Sequence, residues 1–193
     1  LKYRLTVFPL MVYRYFIAFF DRKRQAKLYN QSKNTTGFCL GLLTNIESHE
    51  FNLYVDFNKL AKIISKFNRQ IHNSLDDAVV TVRTKPGWSN IMQIRRCFSS
   101  VDPPLMCPDG LPLLKYGKDC DLVLFIHPTS AVAELMAHNI PCVMINVNGL
   151  VGYFGIFDNI IYPEDIVPIM TMQEVIENLL KNPQWPNKLS QIQ

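Results

Sequence analysis

The sequence contains no Gly-x-Gly-x-x-Gly, so the fingerprint of a nicotinamide-type dinucleotide site is missing. It contains no Cys-x-x-Cys either. Its five cysteines (Cys39, Cys97, Cys107, Cys120 and Cys142) are odd in number and scattered. That excludes a disulfide framework or a ribbon-type zinc site and favours the reducing cytoplasm. No apolar run reaches the ~20 residues that a membrane-spanning helix needs. The most apolar stretch, Leu5 to Phe20, is broken by Pro9 and Arg14, and no small-residue cleavage site follows it, so a signal peptide is not expected. Charge is modest at 19% of residues, against 48% hydrophobic ones, a balance that gives a globular chain with a core to bury.

What charge there is lies unevenly. Residues 1 to 30 hold seven Lys and Arg against the single acid Asp21, a balance of +6, whereas the whole chain carries +4 and the remainder therefore −2. Interleaved with Phe and Tyr, this reads as a basic, aromatic-rich helical appendage. It suits peripheral contact with the inner face of a membrane through residues 1–28, or packing against a further domain. Nucleic acid is not an expected partner, because the cations sit among apolar residues rather than on a polar face. Residues 30 to 36, NQSKNTT, form a polar linker, which separates a segment 1–36 from an α/β domain 37–193. The first residue is leucine, so the chain is expected to be a piece of a longer protein.

Beyond the linker, strand and helix signals alternate. Gly37 to Leu43 reads as a strand. From Asn58 to Ile71, apolar Leu60, Ala61, Ile63, Ile64, Phe67 and Ile71 recur at helical spacing, with Lys59, Lys62, Lys66 and Arg69 on the wet side. Ala78 to Val82 reads as the next strand, Ile91 to Phe98 as a helix, and Pro103-Pro104 and Pro108 as loop formers. Leu111 to Tyr116 predicts a short helix. Leu122 to Ile126 is an unbroken apolar run of the kind buried on both faces of a parallel sheet. His127-Pro128 ends it, Thr129 or Ser130 can cap the helix that follows through Ala137, and Asn139 can take the left-handed conformation that stops it. Cys142 to Ile145 is another buried strand, Val147 to Gly155 a loop, and Ile156 to Tyr162 a further strand. Thr171 and Glu174 make a capping box for a helix to Lys181, which Asn182-Pro183 ends before a polar tail. Right-handed crossovers between such strands predict a doubly wound parallel α/β sheet.

Within this frame the chemistry gathers after the strand at 122–126. Glu134 is the only charged residue between Asp121 and Asn146, on a helix that reads as apolar nearly all round, and burying a lone carboxylate is costly without a partner. It lies one turn beyond Ser130. A helix start at the carboxyl end of a parallel strand is suited to an anion, and a nearby carboxylate can accept hydrogen bonds from a sugar diol. His127 opens the same turn. Arg83 and Lys85, leaving the strand at 78–82, offer fixed positive charge to a pyrophosphate or are ordinary surface cations. Trp88 stacks on a base or plugs a core gap. Asp119-Cys120-Asp121 mimics an Asp-x-Asp metal motif but precedes its strand, at the wrong end of the sheet, so its acids read as strand-start residues.

Asp121, the Thr129-Ser130 turn, Glu134, Ala137 and Pro141, seven residues after the glutamate, together resemble the C-terminal, donor-binding half of GT-B glycosyltransferases. The likeness extends to bacterial surface and capsular polysaccharide enzymes and to the related UDP-N-acetylglucosamine 2-epimerases. Its specific part covers about forty residues around Asp121 to Asn146, and a looser one most of residues 37 to 182. The resemblance implies a Rossmann-like GT-B half whose turn (Thr129, Ser130, Ala131) contacts the donor pyrophosphate and whose Glu134 holds the ribose. It further implies that Arg83 or Lys85 and His127 reach phosphate or sugar, and that the nucleobase sits near Pro108 to Leu114. The partners implied are a nucleotide-sugar donor and a glycan or lipid-linked acceptor, with no metal or other cofactor. The catalytic base would come from a second domain, so this piece alone would bind without catalysing. Two departures stand: Asn139 replaces a common glycine, which it can do conformationally, and the turn lacks its glycine. A nucleotide-sugar 2-epimerase and a non-catalytic assembly module stay open as alternatives.

Overall fold

The computed structural model describes residues 23–24, 26–31, 39–44, 57–75, 77–84, 104–108, 110–125, 130–145 and 167–193. The expected helix at 91–98, loop at 147–155 and strand at 156–162 lie outside these residues, as does most of the basic aromatic segment.

Each buried apolar run becomes a strand of one all-parallel sheet. Strand β1 (Cys39–Thr44) pairs with β2 (Val79–Thr84) on one side and β4 (Leu122–Phe125) on the other. β3 (Leu105–Met106) extends the sheet beyond β2, while β5 (Cys142–Ile145) and β6 (Ile169–Met170) extend it beyond β4. The order is β3-β2-β1-β4-β5-β6, so the chain winds outward in both directions from the pair β1 and β4.

Parallel strands need crossovers, and helices supply them. After α1 (26–31), helix α2 (Phe57–Ser74) joins β1 to β2, α3 (Leu113–Lys118) precedes β4, and α4 (Ser130–Met136) joins β4 to β5. Helices α5 (Met172–Lys181) and α6 (Trp185–Ile192) follow β6. Alternate residues of each strand feed two cores. On one face Leu40, Val80, Val82, Leu122 and Leu124 pack with Ile64, Phe67 and Ile71 of α2 and with Val175 and Leu179 of α5. On the other, Val123, Phe125 and Met144 pack with Tyr116 of α3, Val132 and Leu135 of α4, and Tyr29 of α1. Burial on both faces is why these strands read as unbroken rather than alternating apolar runs. Each such side chain contributes about 1.5–3 kcal/mol over leaving it exposed. The predicted wet side of α2 is wet: Lys62, Lys66 and Arg69 are exposed.

Local signals hold where chemistry is local. Asn139 sits at φ 58° and ends the α4 region. Thr171 Oγ1 accepts the Glu174 N–H at 3.2 Å while Glu174 Oε2 accepts the Thr171 N–H at 2.7 Å, closing the capping box. The Thr171 N–H, and the Thr171 hydroxyl at 2.9 Å, hold the Glu174 carboxyl below its ordinary value.

Two expectations are corrected. The prolines at 103–104 and 108 do not confine the chain between them to loop. Leu105–Met106 pairs with β2, and the Cys107 N–H continues the ladder to the Val82 carbonyl at 2.8 Å. A proline beside a two-residue edge strand removes no interior ladder bond. The polar tail is not a tail but helix α6, whose Leu189 is buried in the first core.

The residue after α6 completes the sheet. Gln193 Oε1 accepts the Cys142 N–H at 2.8 Å, and Gln193 Nε2 donates to the Cys142 carbonyl at 2.7 Å. Strand β6 pairs with β5 only from Met144 onward, so this side-chain amide occupies the ladder position that β6 leaves open at Cys142. Gln193→Ala uncovers a buried donor and acceptor and should cost about 1–2 kcal/mol, read as a Tm lower by roughly 2–6 °C. An unchanged Tm would refute the strand-substitute role.

Candidate functional site at the carboxyl edge of the sheet

The chain leaves β1 toward β2 and leaves β4 toward β5, on opposite sides, so the sheet has its switch point between their carboxyl ends. In open parallel sheets, a ligand crevice forms there because the two outgoing loops diverge. The loops in question, 45–56 and 126–129, lie outside the described residues, and with them His127 and Thr129. Lys85 and Trp88 lie outside them too. Ser130 is the first residue of α4, as its role as a turn-to-helix residue requires. Ala131 follows, half-buried, and Glu134 stands one turn on.

Helix α4 is not apolar all round in its setting. Only one stripe is buried, Val132 and Leu135 at 0% exposure, while Ala133, Glu134, Ala137 and His138 face outward. The lone carboxylate expected to be buried is therefore exposed. The misreading came from counting alanines as core formers, whereas a short helix lying on a sheet buries one side only. Glu134 stands exposed on the outer side of α4. His138 Nδ1 lies 2.9 Å from the Glu134 carbonyl oxygen. A carbonyl only accepts, so Nδ1 carries the proton and the ring caps the helix end.

Arg83, near the end of β2, is half-buried, and its Nη2 donates to the Leu111 carbonyl at 3.4 Å. The guanidinium thus ties the carboxyl edge of β2 to Leu111, which lies within the stretch Pro108 to Leu114 expected to hold a nucleobase. β2 and β4 flank β1, so their ends stand roughly 10 Å apart, two strand spacings. Arg83 thus stands near the carboxyl end of β2, and Glu134 on the helix that follows β4, two strands away.

The opposite, amino edge carries a second polar cluster, foreshadowed by the Asp119-Cys120-Asp121 triplet. Asp121 Oδ2 accepts the Cys39 N–H at 2.7 Å, and the Asp121 N–H donates to the Cys39 carbonyl at 2.8 Å. Tyr29 donates its phenol proton to Asp119 Oδ2 at 3.3 Å. Both acids thus fasten the starts of β1 and β4 and the helix α1, the strand-start role read from their position. Among the described residues no three His, Cys, Asp or Glu side chains converge as a metal ion needs, and no helix is long and apolar enough to cross a membrane.

Beneath that edge, Tyr116 is fully buried over Gly41. Its hydroxyl donates to the Thr81 carbonyl at 3.1 Å and lies 3.2 Å from Thr81 Oγ1. Burial pushes the Tyr116 and Tyr29 phenols above their ordinary range, and burial pushes the Cys142 thiol up to about 12. These groups hold the sheet together and stand away from the carboxyl edge. No family model matches this sequence, and no curated protein is similar enough to count as a match.

Proposed function

We propose that this chain is the donor-binding half of a GT-B glycosyltransferase, holding a nucleotide-sugar over the carboxyl edge of its sheet. The observation that carries the reading is the strand order β3-β2-β1-β4-β5-β6 with an exposed Glu134 one turn into the helix that leaves β4 at the switch point. On this reading Glu134 accepts hydrogen bonds from the ribose hydroxyls, and the Thr129-Ser130-Ala131 turn faces the pyrophosphate. Arg83 and Lys85, with His127, supply donors to phosphate and sugar. The departing nucleoside diphosphate is stabilised by fixed dipoles and cations without a metal. The acceptor is a surface polysaccharide or a lipid-linked glycan on the cytoplasmic side of a membrane, with the basic segment 1–28 as the peripheral contact. The catalytic base belongs to a second domain.

The test is calorimetry of UDP, CDP and GDP against the full chain, with Glu134→Ala and Arg83→Ala in parallel. Micromolar binding of one nucleoside diphosphate, weakened at least tenfold (about 1.4 kcal/mol) by Glu134→Ala, is the expected result. No binding by a chain that circular dichroism shows to be folded would overturn the donor site.

A further inference from the structure

The amino edge of the sheet brings together two thiols that no part of the nucleotide reading uses. The register pairing Leu40 with Leu122 sets Cys39 beside Asp121, and the bond from Asp121 N–H to the Cys39 carbonyl locks that alignment. Cys120, one residue earlier, turns its side chain into the second core. Its Sγ lies 3.3 Å from the Tyr116 carbonyl and 3.9 Å from Thr81 Oγ1, and only 2.7 Å from where a Cβ on Gly41 would stand. Cys39 packs against the same core, two residues before Gly41 on the same face of β1. Neighbouring strands roughly 4.8 Å apart put such residues within the Cα separation, roughly 4.4–6.8 Å, that a disulfide spans. The two cysteines thus belong to the same side of the sheet at its amino edge, packed into the same core.

We propose that Cys39 and Cys120 are an oxidisable dithiol that closes to a disulfide on exposure to hydrogen peroxide, stapling the start of β1 to the start of β4. Cys39 is the half-buried member and Cys120 the buried one. The accessible Cys39 thiolate attacks one oxygen of the peroxide and breaks its O–O bond, becoming a sulfenic acid, and the hydroxide that leaves takes up the proton Cys39 had lost, giving water. Cys120 Sγ then attacks that sulfur, and its proton leaves with the sulfenic hydroxyl as a second water. Two thiols are oxidised by two electrons and one peroxide is reduced. The electrostatics agree with that order: contact with Cys120 lowers the Cys39 thiol, while the same contact, with burial, raises Cys120. The remaining described cysteines, Cys107 and Cys142, are both buried.

The test treats the full chain with hydrogen peroxide, denatures it, alkylates free thiols and maps the peptides by mass spectrometry. Of five cysteines, three should alkylate and the Cys39 and Cys120 peptides should be joined, a link that dithiothreitol removes. The oxidised chain should also melt several degrees higher than the reduced one, since the link closes a loop of about 80 residues, and Cys39→Ser should abolish that rise. Five alkylatable thiols after treatment, over-oxidation of Cys39 without a link, or a link between other cysteines would each overturn the proposal. The readout is independent of nucleotide binding, so its failure says nothing about the carboxyl edge.

Discussion

Tyr116→Ala is expected to remove about 3–5 kcal/mol of stability, a large share of the roughly 5–15 kcal/mol that a natural domain has in total. The ring is 0% exposed and lies in the second core, where α3 lays it against β1 and β2, so truncation leaves a cavity that the sheet cannot collapse to fill. The hydroxyl is a separate matter. Tyr116→Phe keeps the packing and loses only the bond to the Thr81 carbonyl, so it should cost about 1 kcal/mol. Urea denaturation of both variants separates the two contributions, and equal losses would mean that the ring's packing counts for little. The same phenol sets an alkaline limit. Its folded-state value is raised by burial, so its contribution is complete below the ordinary phenol value of about 10 and is lost as pH rises beyond it. Stability against pH above 10 should fall less steeply in Tyr116→Phe than in the parent.

Gly41→Ala should cost about 1–3 kcal/mol even though alanine suits a strand no worse than glycine. The added Cβ would meet Cys120 Sγ at 2.7 Å and the Tyr116 hydroxyl at 3.0 Å, and neither can withdraw without breaking its own contacts. Cys120→Ala removes the nearer obstacle. In reducing buffer, the double variant Gly41→Ala/Cys120→Ala should therefore lose less than the sum of the two single losses, by 0.5 kcal/mol or more. Strict additivity would show that the glycine is not required by the sulfur above it.

These two sites show how the sequence and the structure divide the information. Gly41 sits in a run, CLGLL, that reads as a strand whichever residue fills its middle; the need for a missing side chain arises only because α3, some 75 positions later in the chain, lays Tyr116 across it. Gln193 offers a parallel case, a polar residue after a polar run that finds an open ladder position on β5. Neither contact is local, so no periodicity reports it.

At the candidate site the legible part was the turn after β4. Proline after His127, a hydroxyl pair, good helix formers and Asn139 are each short-range signals, and the helix from Ser130 and the left-handed residue at 139 follow from them. What misled was Glu134. From composition alone its helix looks buried all round, but which stripe of a helix faces the sheet is decided by packing, and here Glu134 is on the outer one. Arg83 was legible as a cation at the end of a strand; its engagement with the Leu111 carbonyl was not, because it joins residues 28 positions apart.

By itself, then, the sequence determined the class of the protein: apolar runs too unbroken for half-exposed strands, separated by helical spacing, can form only a parallel sheet covered on both sides. It also determined the caps and stops, whose hydrogen bonds close within four residues. Strand order, the switch point between β1 and β4, the outward face of Glu134 and the meeting of Cys39 with Cys120 were decided by tertiary structure alone. Each depends on which distant segments share a core, and that choice is made by the fit of whole faces rather than by any local preference.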